Sequence, residues 1–226
     1  MTQNDETNWR PKAIVFDLLT ALLDSWSLWD ASTPSGTPEE GRRWRKQYLE
    51  LTFGAGAYAA PSTAYETLVR QSARDAGLPD SAPVALLRGW EPGLHAWPEV
   101  ARVLAALRGG GYRLGVVTNC SAELGRAAVR RAEECVGGGF RFDAAVAAEE
   151  SGFYKPVRAA YEAVYPELGV GADEVLFVAG SAGDVQGATD AGMRVVWHNR
   201  VGLARKGDAV AMREGRTLDD ALRGFL

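Results

Sequence analysis

The sequence predicts an α/β fold, a doubly wound parallel sheet with a helical cap inserted after its first strand. Three observations predict it. Short apolar runs alternate with amphipathic stretches, the pattern of βαβ units. Several of those runs end in polar residues, as strands do where an open sheet binds a ligand at its carboxyl edge. One long segment, residues 24–97, breaks the alternation and carries helical patterns without a clear buried strand.

The strands are expected at 13–17 (AIVFD), 113–118 (RLGVVT), 143–147 (DAAVA), 174–179 (EVLFVA) and 193–198 (MRVVWH). Helices are expected between them at 98–108, 121–135, 157–167 and 184–191. Gly109-Gly110-Gly111 supplies the glycine stop after the first of these. The last ten residues, TLDDALRGFL, read as a closing helix begun by Thr217. Within the insertion, 38–53 and 63–76 have helical spacing. The stretch TPEE gives a capping box, with Thr37 as N-cap, Pro38 at the first helical position and Glu40 two further on. Trp44, Tyr48 and Leu51 share one face of that helix, with Arg45 beside the stripe. The chain thus divides into an α/β core, 1–23 with 98–226, and a helical cap, 24–97. Trp26, Trp29, Phe53, Tyr58 and Trp90 are candidates for a pocket wall beneath the cap.

Composition narrows the functions. A net charge of −4 and the lack of a basic stripe give no basis for nucleic-acid binding. No apolar run approaches the roughly 18 residues that span a bilayer, so no membrane partner is expected. The start, MTQNDETNWRPK, lacks the apolar core of a signal peptide, and a cytoplasmic protein is expected. Two cysteines, Cys120 and Cys135, do not make a disulfide scaffold. Two histidines, His95 and His198, exclude multi-histidine metal sites and disfavour a histidine-based triad. Chemistry then falls to carboxylates, lysine and arginine.

Parallel strands bring their carboxyl ends to one edge. Asp17 ends the first, and Thr118 and Asn119 end the second, in GVVTNCS. Lys155 follows the third in FYKP, and Asp184 follows the fourth in VLFVAGSAGD. Asp17 reads either as a helix N-cap or turn residue or as a nucleophile held at the carboxyl edge of a parallel sheet, where open α/β sheets place their ligands. With three partners at the same edge, it is the candidate nucleophile.

These four motifs, in this order, resemble those of the haloacid dehalogenase superfamily, which share a Rossmann-like core. The cap stretch RWRKQYLELTF, with Trp44 and Arg45, is similar to that of the 2-haloacid dehalogenases in particular. Tyr161, six residues after Lys155, also matches a position those enzymes use. The resemblance covers nearly the whole chain. It implies hydrolysis of the carbon–halogen bond of short 2-haloacids, through an aspartyl ester and without a metal or other cofactor. It also implies a homodimer. By the same resemblance Asp17 attacks carbon, Lys155 keeps Asp17 ionised, and Asp184 and Tyr161 serve the water or the lysine. Thr118 and adjoining amides hold the substrate carboxylate. Arg45 and Asn119 cradle the halide, and Leu18, Leu19 and Ser181 join them on the substrate side.

One physical contrast separates branches of the superfamily. Its phosphatases protonate an alkoxide with an aspartate two residues after the nucleophile, and that position here is Leu19. A departing halide needs no proton. An acid that serves magnesium in the phosphatases falls at Gly180. Three departures point the other way. Ala21 stands where the resemblance implies threonine, with Thr20 one place early. Ala179 and Ser181 replace a serine and an asparagine. EESGFYKP has the phosphatase style of third motif. The alternatives are therefore a magnesium-dependent small-molecule phosphatase and a catalytically weak member acting as a binding protein.

Overall fold

Each of the five apolar runs forms a strand, since β-branched and aromatic side chains pack on both faces of a sheet covered by helices. The computed structural model describes residues 9–226, so the reading of the first eight residues lies outside it. The strands are β1 (Ala13–Asp17), β2 (Arg113–Thr118), β3 (Ala144–Ala147), β4 (Val175–Ala179) and β5 (Arg194–His198). A sixth, β6 (Arg213–Gly215), was not expected. It has three residues, only one of them buried, and no apolar run to announce it.

All pairings are parallel, in the order β3-β2-β1-β4-β5-β6. β1 lies between β2 and β4, with Asp17 level with Val117 and Phe16 level with Val178. The chain winds outward from β1 to β3 and then restarts at β4 on the other side. The winding therefore reverses between β1 and β4, and the crevice at their carboxyl ends is where such sheets place ligands. Asp17 ends one of these strands, and Asp184 follows the other.

The chain leaves the sheet at Leu23 and returns at Ala96, and these two connections run antiparallel, side by side. Asp24 donates its amide to the His95 carbonyl at 2.8 Å, and Trp97 donates to that of Leu22 at 3.0 Å. Between them lie α1 (Ser25–Ala31), α2 (Pro38–Ala55), α3 (Tyr65–Asp75), α4 (Ser81–Arg88) and α5 (Trp90–Gly93). Their shared core is a run of aromatic contacts. Trp29 meets Trp44 at 4.6 Å and Tyr48 at 5.2 Å, and Tyr65 meets both Tyr48 and Trp90 at 5.5 Å. The capping box of α2 is only half made. Thr37 accepts the Glu40 amide at 3.4 Å, but the Glu40 carboxylate turns to the amide and hydroxyl of Ser35, at 3.0 and 2.6 Å. Ser35 offers two donors where the Thr37 amide offers one.

The remaining helices flank the sheet: α6 (Val100–Gly109), α7 (Ala122–Val136), α8 (Ala148–Ser151), α9 (Arg158–Glu162), α10 (Tyr165–Leu168), α11 (Ala182–Asp190) and α12 (Leu218–Ala221). The single helix expected over 157–167 is split into α9 and α10. Pro166 has no amide to continue the first helix and suits the opening turn of the second. Thr217 caps α12 by accepting the Asp220 amide, at 3.2 Å. Among the described residues, no helix is long and apolar enough to cross a membrane.

Candidate active site

β1 ends in a π-helical turn, Leu18–Leu22, whose five side chains are all buried. Asp17 caps it. Its Oδ2 accepts the Thr20 amide at 2.8 Å, the Thr20 hydroxyl at 2.5 Å and the Ala21 amide at 3.1 Å. The turn's carbonyls are held from outside. Ser25 donates to Leu19 at 2.6 Å, and the Trp97 indole donates to Thr20 at 3.1 Å. The His198 Nδ1 lies 2.9 Å from the Ala21 carbonyl. Gly180 makes this packing possible: a Cβ there would stand 2.2 Å from the Thr20 hydroxyl and 2.6 Å from Asp17 Oδ2.

Lys155 reaches this carboxylate because Asn119 clamps its backbone. The Asn119 side chain accepts the Lys155 amide at 2.7 Å and donates to the Lys155 carbonyl at 2.9 Å. The ammonium then bridges two buried acids, 2.7 Å from Asp17 Oδ1 and 3.1 Å from Asp184 Oδ1. Asp184 also accepts the Tyr161 hydroxyl at 2.9 Å and the Ser181 hydroxyl at 3.0 Å.

The two acids titrate in opposite directions. Burial pushes the Asp17 carboxyl up, but the charge and hydrogen bond of Lys155, with help from Thr20, bring it below the ordinary value. Asp184 is raised, first by burial and then by the charge of Asp17, against the pull of Lys155. Burial weakens the Lys155 ammonium, yet the two carboxylates more than offset this and raise its pKa.

The cap closes the other side. A cavity of about 100 Å³ is lined by Asp17, Leu19, Thr20, Asn119, Lys155, Ser181 and Asp184 from the core, and by Trp26, Arg45, Tyr48, Leu49 and Phe53 from the cap. Pro156, Gly183 and Leu203 complete it. Arg45 is buried, 8% exposed, although its place beside the apolar stripe of α2 is not a core position. Its guanidinium lies 3.9 Å from the Trp26 ring centroid and donates to the Ser25 hydroxyl at 3.1 Å. Among the described residues, no carboxylate lies within ion-pair distance of it.

The structure thus brings Asp17, Lys155, Asp184, Arg45, Asn119, Leu19 and Ser181 to one cavity. Tyr161 reaches it only through Asp184. Two placements differ from the sequence reading. The Leu18 side chain is fully buried in the hydrophobic core, so only its backbone is available to a ligand. Thr118 stands outside the cavity lining. Its hydroxyl takes the Cys120 thiol at 3.7 Å, and its methyl faces Gly125 of α7. Cys120 itself is fully buried, which pushes its thiol up to about 12 and leaves it unreactive. Of the aromatic wall candidates, Trp26 and Phe53 line the cavity, whereas Trp29, Tyr58 and Trp90 are spent on packing elsewhere. Sequence reading missed Leu203, Ser25 and the Thr20 hydroxyl. Only Thr20 left a signal, its offset by one place from the expected threonine.

Asp17 and Asp184 are the two acids lining this cavity, a thin donor set for a magnesium ion. The Lys155 ammonium already fills the gap between the two carboxylates, and position 180 has no room for an added acid. Among the described residues, no three His, Cys, Asp or Glu side chains gather as a metal site.

Comparison with known proteins agrees with the architecture. The family described as haloacid dehalogenase-like hydrolase matches residues 14–198. Haloacetate dehalogenase H-2 of Moraxella sp. (strain B) is 30% identical over 201 residues, covering 85% of this chain and 88% of that one. The (S)-2-haloacid dehalogenase of Pseudomonas sp. (strain YL) is 30% identical over 200 residues, covering 84% of each. A crystal structure of an L-2-haloacid dehalogenase superposes with a TM-score of 0.80 at 27% identity, over 95% of this chain and 98% of that one.

Proposed function

The chain belongs to the haloacid dehalogenase-like hydrolases, and from that premise we propose that it removes halide from short 2-haloacids through an ester on Asp17, without a metal ion. Asp17 Oδ1 is the attacking atom. It accepts one hydrogen bond, from Lys155, while Oδ2 accepts three. As the new C–O bond forms at C2, the C–X bond breaks and its electron pair leaves on the halide. The Arg45 guanidinium and the second amide proton of Asn119 receive that charge. The substrate carboxylate sits on the amides of Leu18 and Leu19, which open the turn and lack intrahelical partners. Thr118 is left out of these contacts.

Water then adds to Cγ of the ester. Oδ2 becomes the oxyanion, already facing the Thr20 amide and hydroxyl and the Ala21 amide. Asp184, whose raised pKa makes it the better base of the two acids, takes one proton from the water. The departing oxygen of the 2-hydroxy acid receives that proton. The carboxyl proton left on Asp17 is released as it ionises again beside Lys155. The net change is haloacid and water to hydroxy acid, halide and one proton. Thr20 thereby supplies the hydroxyl that Ala21 lacks.

The observation that carries this reading is Arg45, a buried cation with no carboxylate within ion-pair distance among the described residues, in the same small cavity as Asp17. An unpaired buried guanidinium is destabilising until an anion arrives, and the reaction creates one. The test is chloride release from 2-chloropropionate in the presence of EDTA. Wild-type protein turns over, and Asp17→Asn loses activity by about 10⁴-fold or more. Acid-quenched wild type carries the substrate mass, less halogen, on the Asp17 peptide. Turnover that requires magnesium, or metal-dependent hydrolysis of p-nitrophenyl phosphate, would overturn the reading.

A further inference from the structure

The loop joining β5 to β6 puts one side chain into the cavity, and the protein fixes that side chain with some care. Asn199, 2% exposed, accepts the Leu203 amide at 2.7 Å and donates to the Leu203 carbonyl at 2.9 Å. Asn199 also donates to Glu214 of β6 at 2.7 Å. Farther along, Gln186 of α11 accepts the amides of Asp208 and Ala209, at 3.0 and 2.9 Å. A stretch with no regular structure is therefore tied at both shoulders. Leu203 is what it contributes to the cavity wall.

The cap supplies Phe53 to the same cavity, two turns beyond Arg45 on α2. The ring occupies space that Gly183 leaves open: a Cβ at 183 would lie 3.0 Å from Phe53 Cζ. Gly183 immediately precedes Asp184, so the ring borders the reacting carboxylates. The same loop holds the ring in place, with the Lys206 ammonium 4.5 Å from its centroid. Leu203 and Phe53 are thus an apolar pair, one from core and one from cap, linked through a single loop.

We propose that Leu203 and Phe53 determine substrate length, admitting acids of two or three carbons and excluding longer C2 substituents. The proposal rests on reading the cavity as a 2-haloacid site and names which members of that class it takes. The cavity of about 100 Å³ leaves little room beyond the reacting carbon and its carboxylate. In an apolar pocket one methylene is worth roughly 10–200-fold in discrimination, so truncating either side chain has a readable effect.

The experiment measures kcat/KM for 2-chlorohexanoate relative to 2-chloropropionate in wild type, Phe53→Ala and Leu203→Ala. Phe53→Leu and Leu203→Val serve as milder variants if the alanine proteins do not fold. In parallel, calorimetry compares binding of hexanoate and propionate to the same proteins. The expected result is a rise of at least about tenfold in the long-to-short ratio for each truncation, in turnover and in binding. Lys206→Met, which frees the ring, gives a smaller rise in the same direction. Absent halide release with a shifted binding ratio would defeat the dehalogenase reading and leave the length filter standing. Halide release with an unshifted ratio in both measurements, or no carboxylate binding at any length, would overturn the filter.

Discussion

The core wall of the cavity and the cap wall are made by different means. On the core side, Asp17, Lys155, Asp184, Ser181 and Asn119 form one chain of hydrogen bonds, each 2.7 to 3.1 Å long. On the cap side, rings do most of the positioning. Arg45 lies over Trp26 and makes one hydrogen bond, to Ser25, while Phe53 is held by a cation over its face. Directional bonds fix atoms where bonds are made and broken, and apolar surfaces set volume and exclude water. In the proposed mechanism the core wall makes and breaks the bonds, while the cap wall supplies a counter-charge in Arg45 and apolar bulk in Phe53.

Breaking the core wall has the largest expected effect. Lys155→Met leaves Asp17 and Asp184 buried together without the ammonium that bridges them, which costs about 3–5 kcal/mol of stability in denaturant titration. The pH dependence follows from the shifts. The depressed Asp17 pKa gives stability that is present above the ordinary carboxylate value and is lost as pH falls through the lowered one. The raised Lys155 pKa gives stability that is complete below the ordinary ammonium value and is lost as pH rises through the raised one. In the variant the charge and hydrogen bond of Lys155 are gone, burial outweighs the Thr20 hydrogen bonds that remain, and the Asp17 pKa moves up. The acid limb of single-turnover halide release then shifts to higher pH. An unmoved limb would mean that Lys155 does not set the ionisation of Asp17.

Arg45→Lys tests where the two walls meet. Lysine keeps the charge but loses the planar group that lies on Trp26 while donating to Ser25. Single-turnover halide release should fall by about 10²–10³-fold, with stability little changed. A fall confined to KM would place Arg45 on the ground-state carboxylate rather than on the departing halide.

The same contrast explains what the sequence made legible. The core wall reads directly, because strand ends are short, apolar and punctuated by polar residues, and parallel pairing gathers them at one edge. Asp17, Asn119, Lys155 and Asp184 were all visible in this way. Thr20 was not, since nothing in DLLTA announces a π-helical turn that brings position 20, rather than 21, under the carboxylate. Thr118 misled for a related reason: strand position fixes the backbone, while packing against Gly125 and Cys120 decides which way the hydroxyl turns. Periodicity placed Arg45 beside the apolar stripe of α2, and only the packing of α1 across it brings it inside. Leu203 lies in a loop without periodicity, and its place depends on Asn199, a contact no local pattern encodes.

The smallest effect separates the two half-reactions within the core wall itself. Tyr161 touches Asp184 and not Asp17, and the absence of a side chain at Gly187 leaves room for its hydroxyl: a Cβ there would lie 2.6 Å from it. Tyr161→Phe removes a hydrogen bond that lowers Asp184, so that carboxyl rises further and is protonated over more of the acid range. In the proposed mechanism alkylation of Asp17 does not use Asp184 as a base, whereas hydrolysis of the ester does. The loss should be roughly 10-fold, in the range seen when an orienting partner is removed, and it should fall on the second step. Rapid-quench measurements should then show a burst of halide release followed by a slower steady rate, with the ester accumulating most at low pH. Equal slowing of the burst and the steady rate would assign Tyr161 to alkylation as well, and would remove the division of labour between the two acids.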